Sequence, residues 1–231
     1  MQNLNRQSVS EYRSLRSFLD PATAIPRNML IRHYIEHVMR IRLFRPLDAE
    51  VTCLLNQDHQ DAADLWGRYA RSEAVHDRYF LRDLEQMGIS RAQVDTVEPF
   101  TSTRKLVNFL LQGLHSFGPS PVILYSYWAE YNSEVGSGPM MDRVADEFGE
   151  QAVCGAKGHR ALDQKQDHLA LVAEVLHSLI REQKDLVLAT NLLAVISRML
   201  DEYFLQLLAW GQSRHDAQVR QHFLATGIPF V

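Results

Sequence analysis

Cysteine is scarce in this sequence. Cys53 and Cys154 are the two among 231 residues, and they form neither a CxxC pair nor a zinc-ligand spacing, so no disulfide framework is indicated. Long apolar runs are missing as well. None approaches the ~20 residues that a membrane helix needs, and the opening MQNLNRQSVSEYRSLR lacks the apolar stretch of a signal peptide. Charge of one sign is not in excess: the net charge is -4, which makes no electrostatic case for nucleic acid or an anionic membrane surface. No hairpin dipeptide lies between alternating runs, so a sheet is not expected, and there is no repeat or low-complexity tract. A Gly-rich phosphate loop, a nucleophile elbow and a dinucleotide fingerprint are absent too. The expectation is a protein of a reducing, cytoplasmic compartment in which any metal is loaded inside the cell.

What is present is helical periodicity. Hydrophobic residues make up 46% and charged residues 23%, the balance of a globular chain that can bury a sizeable core. RNMLIRHYIEHVMRIRLF (27–44) carries a broad apolar face, and Pro46 suits the start of a second helix. Residues 59–88 read as one long helix stopped by Gly88. Thr101 can cap the next helix. After Pro119 and Pro121 come VILYSYWAEYNSEVG, a short helix in GPMMDRVADEFG, a helix over 157–180 and a long one over 184–211, which SRHDAQVRQHFLATGIPFV is expected to extend before ending in an apolar tail. The expected architecture is all-α, one domain over 1–231 with its core over 27–211 and about seven or eight helices.

Ten histidines direct attention to a metal site. Carboxylates and imidazoles three, four or seven residues apart share one helix face and can point into a bundle core. Glu73 and His76 have the Glu-x-x-His spacing, Glu130 lies in the aromatic YSYWAEYNSE, and His159 and Asp163 are four apart. Each has a bland reading on its own: a chance spacing, a carboxylate paired with a basic side chain, a local hydrogen bond in a solvated turn. The pair His33 and His37, with Glu36 between them, reads better as core or pocket wall than as a metal site. Cys154 reads as a small hydrophobe, and Trp66, Tyr69, Tyr125, Tyr127, Trp128 and Tyr131 read mostly as core.

At RSEAVHDRYFLRDLEQMG, YSYWAEYNSEVG and HRALDQKQDHL the sequence resembles the heme-oxygenase-like di-iron oxidases, in the superfamily of the TenA-type thiaminases and the PQQ-synthesis oxidase. The resemblance implies a seven-helix heme-oxygenase-like bundle and, in some members, a homodimer, for which the apolar tail FLATGIPFV is a further motive. It places Glu73, His76, Glu130, His159 and Asp163 as ligands, with Glu130 bridging the ions and acting in catalysis. The implied cofactors are Fe(2+), two ions, and O2. The implied activity is oxidation of a small molecule by C–H or C–C cleavage, desaturation or N-oxygenation. The pattern departs at its end, where the family's last His falls on Gln166, while His168 stands two residues later. A regular helix sets His168 about 140° from Asp163. Either a π-bulge turns His168 into the site as the last ligand, or Gln166 or Asp167 takes its place. Two other readings stand beside this one: a metal-free TenA-like hydrolase or cofactorless oxidase with a functional Cys154, and a non-catalytic metal-binding helical protein.

Overall fold

The structure, a computed structural model, describes Asp20 and residues 23–226, apart from the side chains of Val135 and of residues 215–226. Of the tail FLATGIPFV (223–231), on which the dimer expectation leaned, residues 227–231 and all the side chains lie outside what is described. Among those described there are nine α-helices and no strand: α1 (Arg27–Asp58), α2 (Gln60–Glu73), α3 (Asp77–Gln86), α4 (Arg91–Asp95), α5 (Thr101–Phe117), α6 (Ser120–Phe148), α7 (Cys154–Gln166), α8 (His168–Leu179) and α9 (Gln183–Thr226), with a 3₁₀ turn at Glu150–Val153 before α7. None of the described helices is long and apolar enough to cross a membrane. The all-α expectation holds; the expected seven or eight helices are nine, because two long periodic segments are each broken, two expected pairs are each joined, and the short Arg91–Asp95 is added.

Local chemistry explains where the helices run and stop. Pro46 does not start a helix but lies inside α1. The donor it removes is one bond, while both sides of it are buried, with Tyr34 and Val38 before and Leu47 and Val51 after. The segment 59–88 divides at Ala74–His76, where His76 N bonds Glu73 O at 3.1 Å and Tyr79 N bonds His76 O at 3.1 Å, the i→i+3 pattern of a tightened turn. Asp77 pins this turn to α1 through Arg42 (3.1 Å) and Arg45 (2.5 Å). Phe100, not Thr101, is the N-cap of α5. The two helices expected across 121–148 are one, with Pro139 inside it.

The core has two clusters. One gathers Val51, Trp66, Leu110, Ile123, Val172 and Leu193; the other gathers Tyr34, Val38, Leu84, Val144, Tyr203 and Leu207. A cavity of about 250 Å³ takes wall residues from both, Phe44 and Trp128 from the first, Phe80 and Met140 from the second. The start of α7 is fixed by Asp83, fully buried, whose carboxylate accepts from Gly155 N (2.6 Å) and Ala156 N (2.7 Å), two of the orphan donors of a helix N-terminus. Gly155 makes this approach possible, because a Cβ there would stand 2.0 Å from Tyr79 O. Gly155→Ala is therefore expected to destabilise the fold by about 3 kcal/mol, read as a lower urea midpoint; an unchanged midpoint would contradict the tight α3–α7 contact.

Candidate metal centre

Five elements deliver six side chains to one end of the cavity. Glu73 is the last residue of α2, His76 precedes α3, Glu130 is on α6, His159 and Asp163 are on α7, and His168 opens α8. They form two groups whose donor atoms lie within 4.8 Å of one another: Glu73, His76, His159 and Asp163 in one, Glu73, Glu130 and His168 in the other. Glu73 belongs to both. The carboxylate common to both groups is that of Glu73, where the resemblance had implied Glu130: the helix end at Ala74 places it between His76 Nδ1 (2.8 Å) and His168 Nδ1 (3.3 Å).

The distances continue around the site. His159 Nδ1 is 2.9 Å from Asp163 Oδ2, and His168 Nδ1 is 3.1 Å from Asp163 Oδ1 and 3.8 Å from Glu130 Oε1. Yet Glu73 Oε1, both nitrogens of His76, both carboxylate oxygens of Asp163 and His168 Nδ1 are buried without a hydrogen bond. Close approach without hydrogen-bonding angles, at buried polar atoms that elsewhere in proteins are satisfied, fits donors that converge on a cation. The charges say the same. Burial, then the negative charges of Glu73 and Asp163, push the Glu130 carboxyl well up. Burial acts on His168 in the opposite sense to its neighbours, and the carboxylates of Asp163 and Glu73 prevail, raising it to about 10. Asp163 and Glu73 are held low against burial by the imidazoles beside them. Three carboxylates share a space that favours a positive charge among them.

His168 reaches the site by neither of the expected routes. There is no π-bulge; the helix ends, and Asp167 takes the left-handed conformation (φ 50°, ψ 52°) before α8 begins. Its side chain caps the new helix at Ala170 N (3.3 Å). Asp at a left-handed position is tolerated because its short polar side chain bonds locally. Gln166 does not take the place of the last histidine either. Its Oε1 lies 2.9 Å from His168 Nε2 and accepts from Ser72 Oγ (2.8 Å). That contact requires a proton on Nε2 and leaves Nδ1 facing the carboxylates.

Other partners carried no signal of their own. Tyr69, read as core, donates to Glu130 Oε1 (3.0 Å) and sets its ring 5.2 Å from that of His168. The available clue was its place four residues before Glu73, on the same helix face. Asp48, buried and on the cavity wall, is pushed up to about 8 by burial and by the Glu73 charge. His33 and His37 line the cavity but join neither donor group. His33 Nδ1 meets Tyr203 OH at 2.7 Å, and Glu36 is turned to Arg32, Phe100 N and Thr103. Cys154 is half-buried at the start of α7, its thiol directed to Glu150 O, and is not part of the cavity wall.

The sequence matches no protein-family model and no curated protein. Solved structures are similar in fold. One is a domain of unknown function with a heme oxygenase-like fold from Shewanella denitrificans, with a TM-score of 0.74 at 17% identity over 98% of this chain and 92% of that one. Another is a TenA homolog from Pseudomonas syringae pv. tomato, with a TM-score of 0.65 at 12% identity over 90% of this chain and 88% of that one. The chain has a heme oxygenase-like fold, shared with the TenA proteins.

Proposed function

We propose that the protein is a non-heme iron oxidoreductase that binds two ferrous ions and uses O2 to oxidise a small molecule held in the adjoining cavity. One observation carries the reading: six carboxylate and imidazole side chains converge in two groups sharing Glu73, and buried donor atoms of four of them, Glu73, His76, Asp163 and His168, lack hydrogen bonds. The residues fit the ions. Mixed carboxylate and imidazole donors in a helical protein suit iron or manganese, and no thiolate is near to favour zinc or copper. Glu73, His76, His159 and Asp163 would hold one ion, and Glu73, Glu130 and His168 the other. Bound iron would supply electrons and open coordination positions to O2.

The rest of the work falls to the chain. Tyr69 holds Glu130 by its hydroxyl and Gln166 holds His168 by Nε2, which fixes the direction of each donor. Phe44, Phe80, Trp128 and Met140 wall the cavity and exclude water from the reacting molecule. His33 is lowered to about 3 by burial and then by the Arg40 charge, so it lines the cavity as a neutral imidazole. A thiol-dependent hydrolase gains no support from a Cys154 outside the cavity wall.

Anaerobic addition of Fe(2+) tests the reading. We expect two irons per chain by metal analysis. At about a thousandfold excess of iron over its dissociation constant, the gain in stability is ~4 kcal/mol, a rise in melting temperature on the order of 10 °C. O2 should then be consumed with a change in absorbance. Less than one iron per chain together with an unmoved melting temperature would sink it.

A further inference from the structure

Helix α1 carries five arginines, and four of them have carboxylate partners: Arg27 with Glu147, Arg32 with Glu36, Arg42 with Asp77 and Asp95, Arg45 with Asp77. Arg40 differs. It is 8% exposed, lines the cavity, and has no carboxylate partner among the described residues. It meets His37 Nδ1 at 3.0 Å and lies 4.4 Å over the Tyr203 ring. Neither partner brings a negative charge. His37 is kept neutral by burial and by Arg40 itself, and burial holds the Tyr203 hydroxyl in its protonated form. Asp48, the carboxyl on the same helix and the same wall, is raised to about 8 and so is protonated at neutral pH.

A buried guanidinium is costly unless a negative charge meets it. Here the described residues supply none and the guanidinium opens on a cavity, so the countercharge belongs to what fills the cavity. Its planar fork matches a carboxylate. The donor groups lie across two ring contacts: His37 is 5.0 Å from Phe80, and Phe80 is 5.3 Å from His159. The cavity wall includes the apolar side chains of Ile41, Phe44 and Met140.

We propose that Arg40 anchors the carboxylate of an organic acid whose apolar body extends across the cavity to Glu73, Glu130 and His159. That this acid is the molecule oxidised rests on the function proposed above; the anchoring does not.

The test is binding of hexanoate, hexanamide and hexylamine, followed by the fluorescence of Trp128 and the other tryptophans, on metal-free and iron-loaded protein, with iron content measured on the same samples. Hexanoate is expected to bind at least about tenfold more tightly than hexanamide in both forms, and hexylamine more weakly still. Arg40→Gln should erase the preference for the acid, and Arg40→Lys should keep part of it. Circular dichroism accompanies each variant, because Arg40 also packs on Tyr203; if Arg40→Gln does not fold, the wild-type ratio and Arg40→Lys decide. Equal binding of acid and amide by the wild type, a preference that survives Arg40→Gln, or no binding of straight-chain acids from butanoate to decanoate overturns the anchor. Wild type that binds two irons without preferring the acid overturns the anchor alone. Wild type that prefers the acid but takes up no iron overturns the oxidase reading alone.

Discussion

Glu73→Ala is expected to leave the protein folded and unable to hold either iron, with iron-dependent turnover down roughly a thousandfold or more. The reason is its place in both donor groups. Its Oε1 lies near His76 Nδ1 and His168 Nδ1 at once, so its loss removes a negative charge and a donor from each. Glu130→Ala touches one group and should cost one ion. The fold should survive, because Glu73 sits at a helix end with 18% of its side chain exposed and outside the two apolar clusters. Metal analysis and circular dichroism on both variants read the contrast. Two irons retained in Glu73→Ala would refute the shared role, and both irons lost by Glu130→Ala with one kept by Glu73→Ala would return the bridging position to Glu130, where the resemblance had placed it.

Much of this site is legible in the sequence, because it depends on residue type and helical spacing. Four apart on one helix, His159 and Asp163 had to share a face. The aromatic setting of Glu130 signalled burial. The breaks were not legible. A turn at 74–76 preserves apolar periodicity on both sides, so the pattern of 59–88 runs on as if unbroken, and the Arg42 and Arg45 contacts that hold Asp77 are distant in sequence. Pro46 shows the reverse error: a strong local signal overridden by burial on both sides of it. Residues that act through a neighbour, such as Tyr69 and Gln166, are ordinary in type and become visible only when a partner from another helix is placed beside them. Arg40 was hidden for the same reason, since an unpaired cation is defined by what does not reach it.

The opposite end of the site gives the other large effect. His168→Ala is expected to lose one of the two irons and most of the activity. Gln166→Ala, which a π-bulge carrying His168 inward would have made nearly silent, is expected instead to weaken iron at that position by about 10- to 100-fold. The cause is the contact from Gln166 Oε1 to His168 Nε2, which holds the ring with Nδ1 toward Glu73 and Asp163. The backbone makes the same point independently. Asp167 is the described non-glycine residue with positive φ, and a β-branched side chain there is strained. Asp167→Val should favour a continuous helix through 166–168, turn His168 away, and lose the same iron as His168→Ala. Asp167→Gly permits the left-handed turn and gives up only its cap on Ala170 N, a loss of a few tenths of a kcal/mol, so both irons should stay. Iron counts and melting temperatures for the four variants separate the effects. If Asp167→Val keeps two irons while His168→Ala loses one, the turn at Asp167 is not what brings His168 to the metal; if Gln166→Ala alone loses an iron, the glutamine is the ligand and the histidine its support.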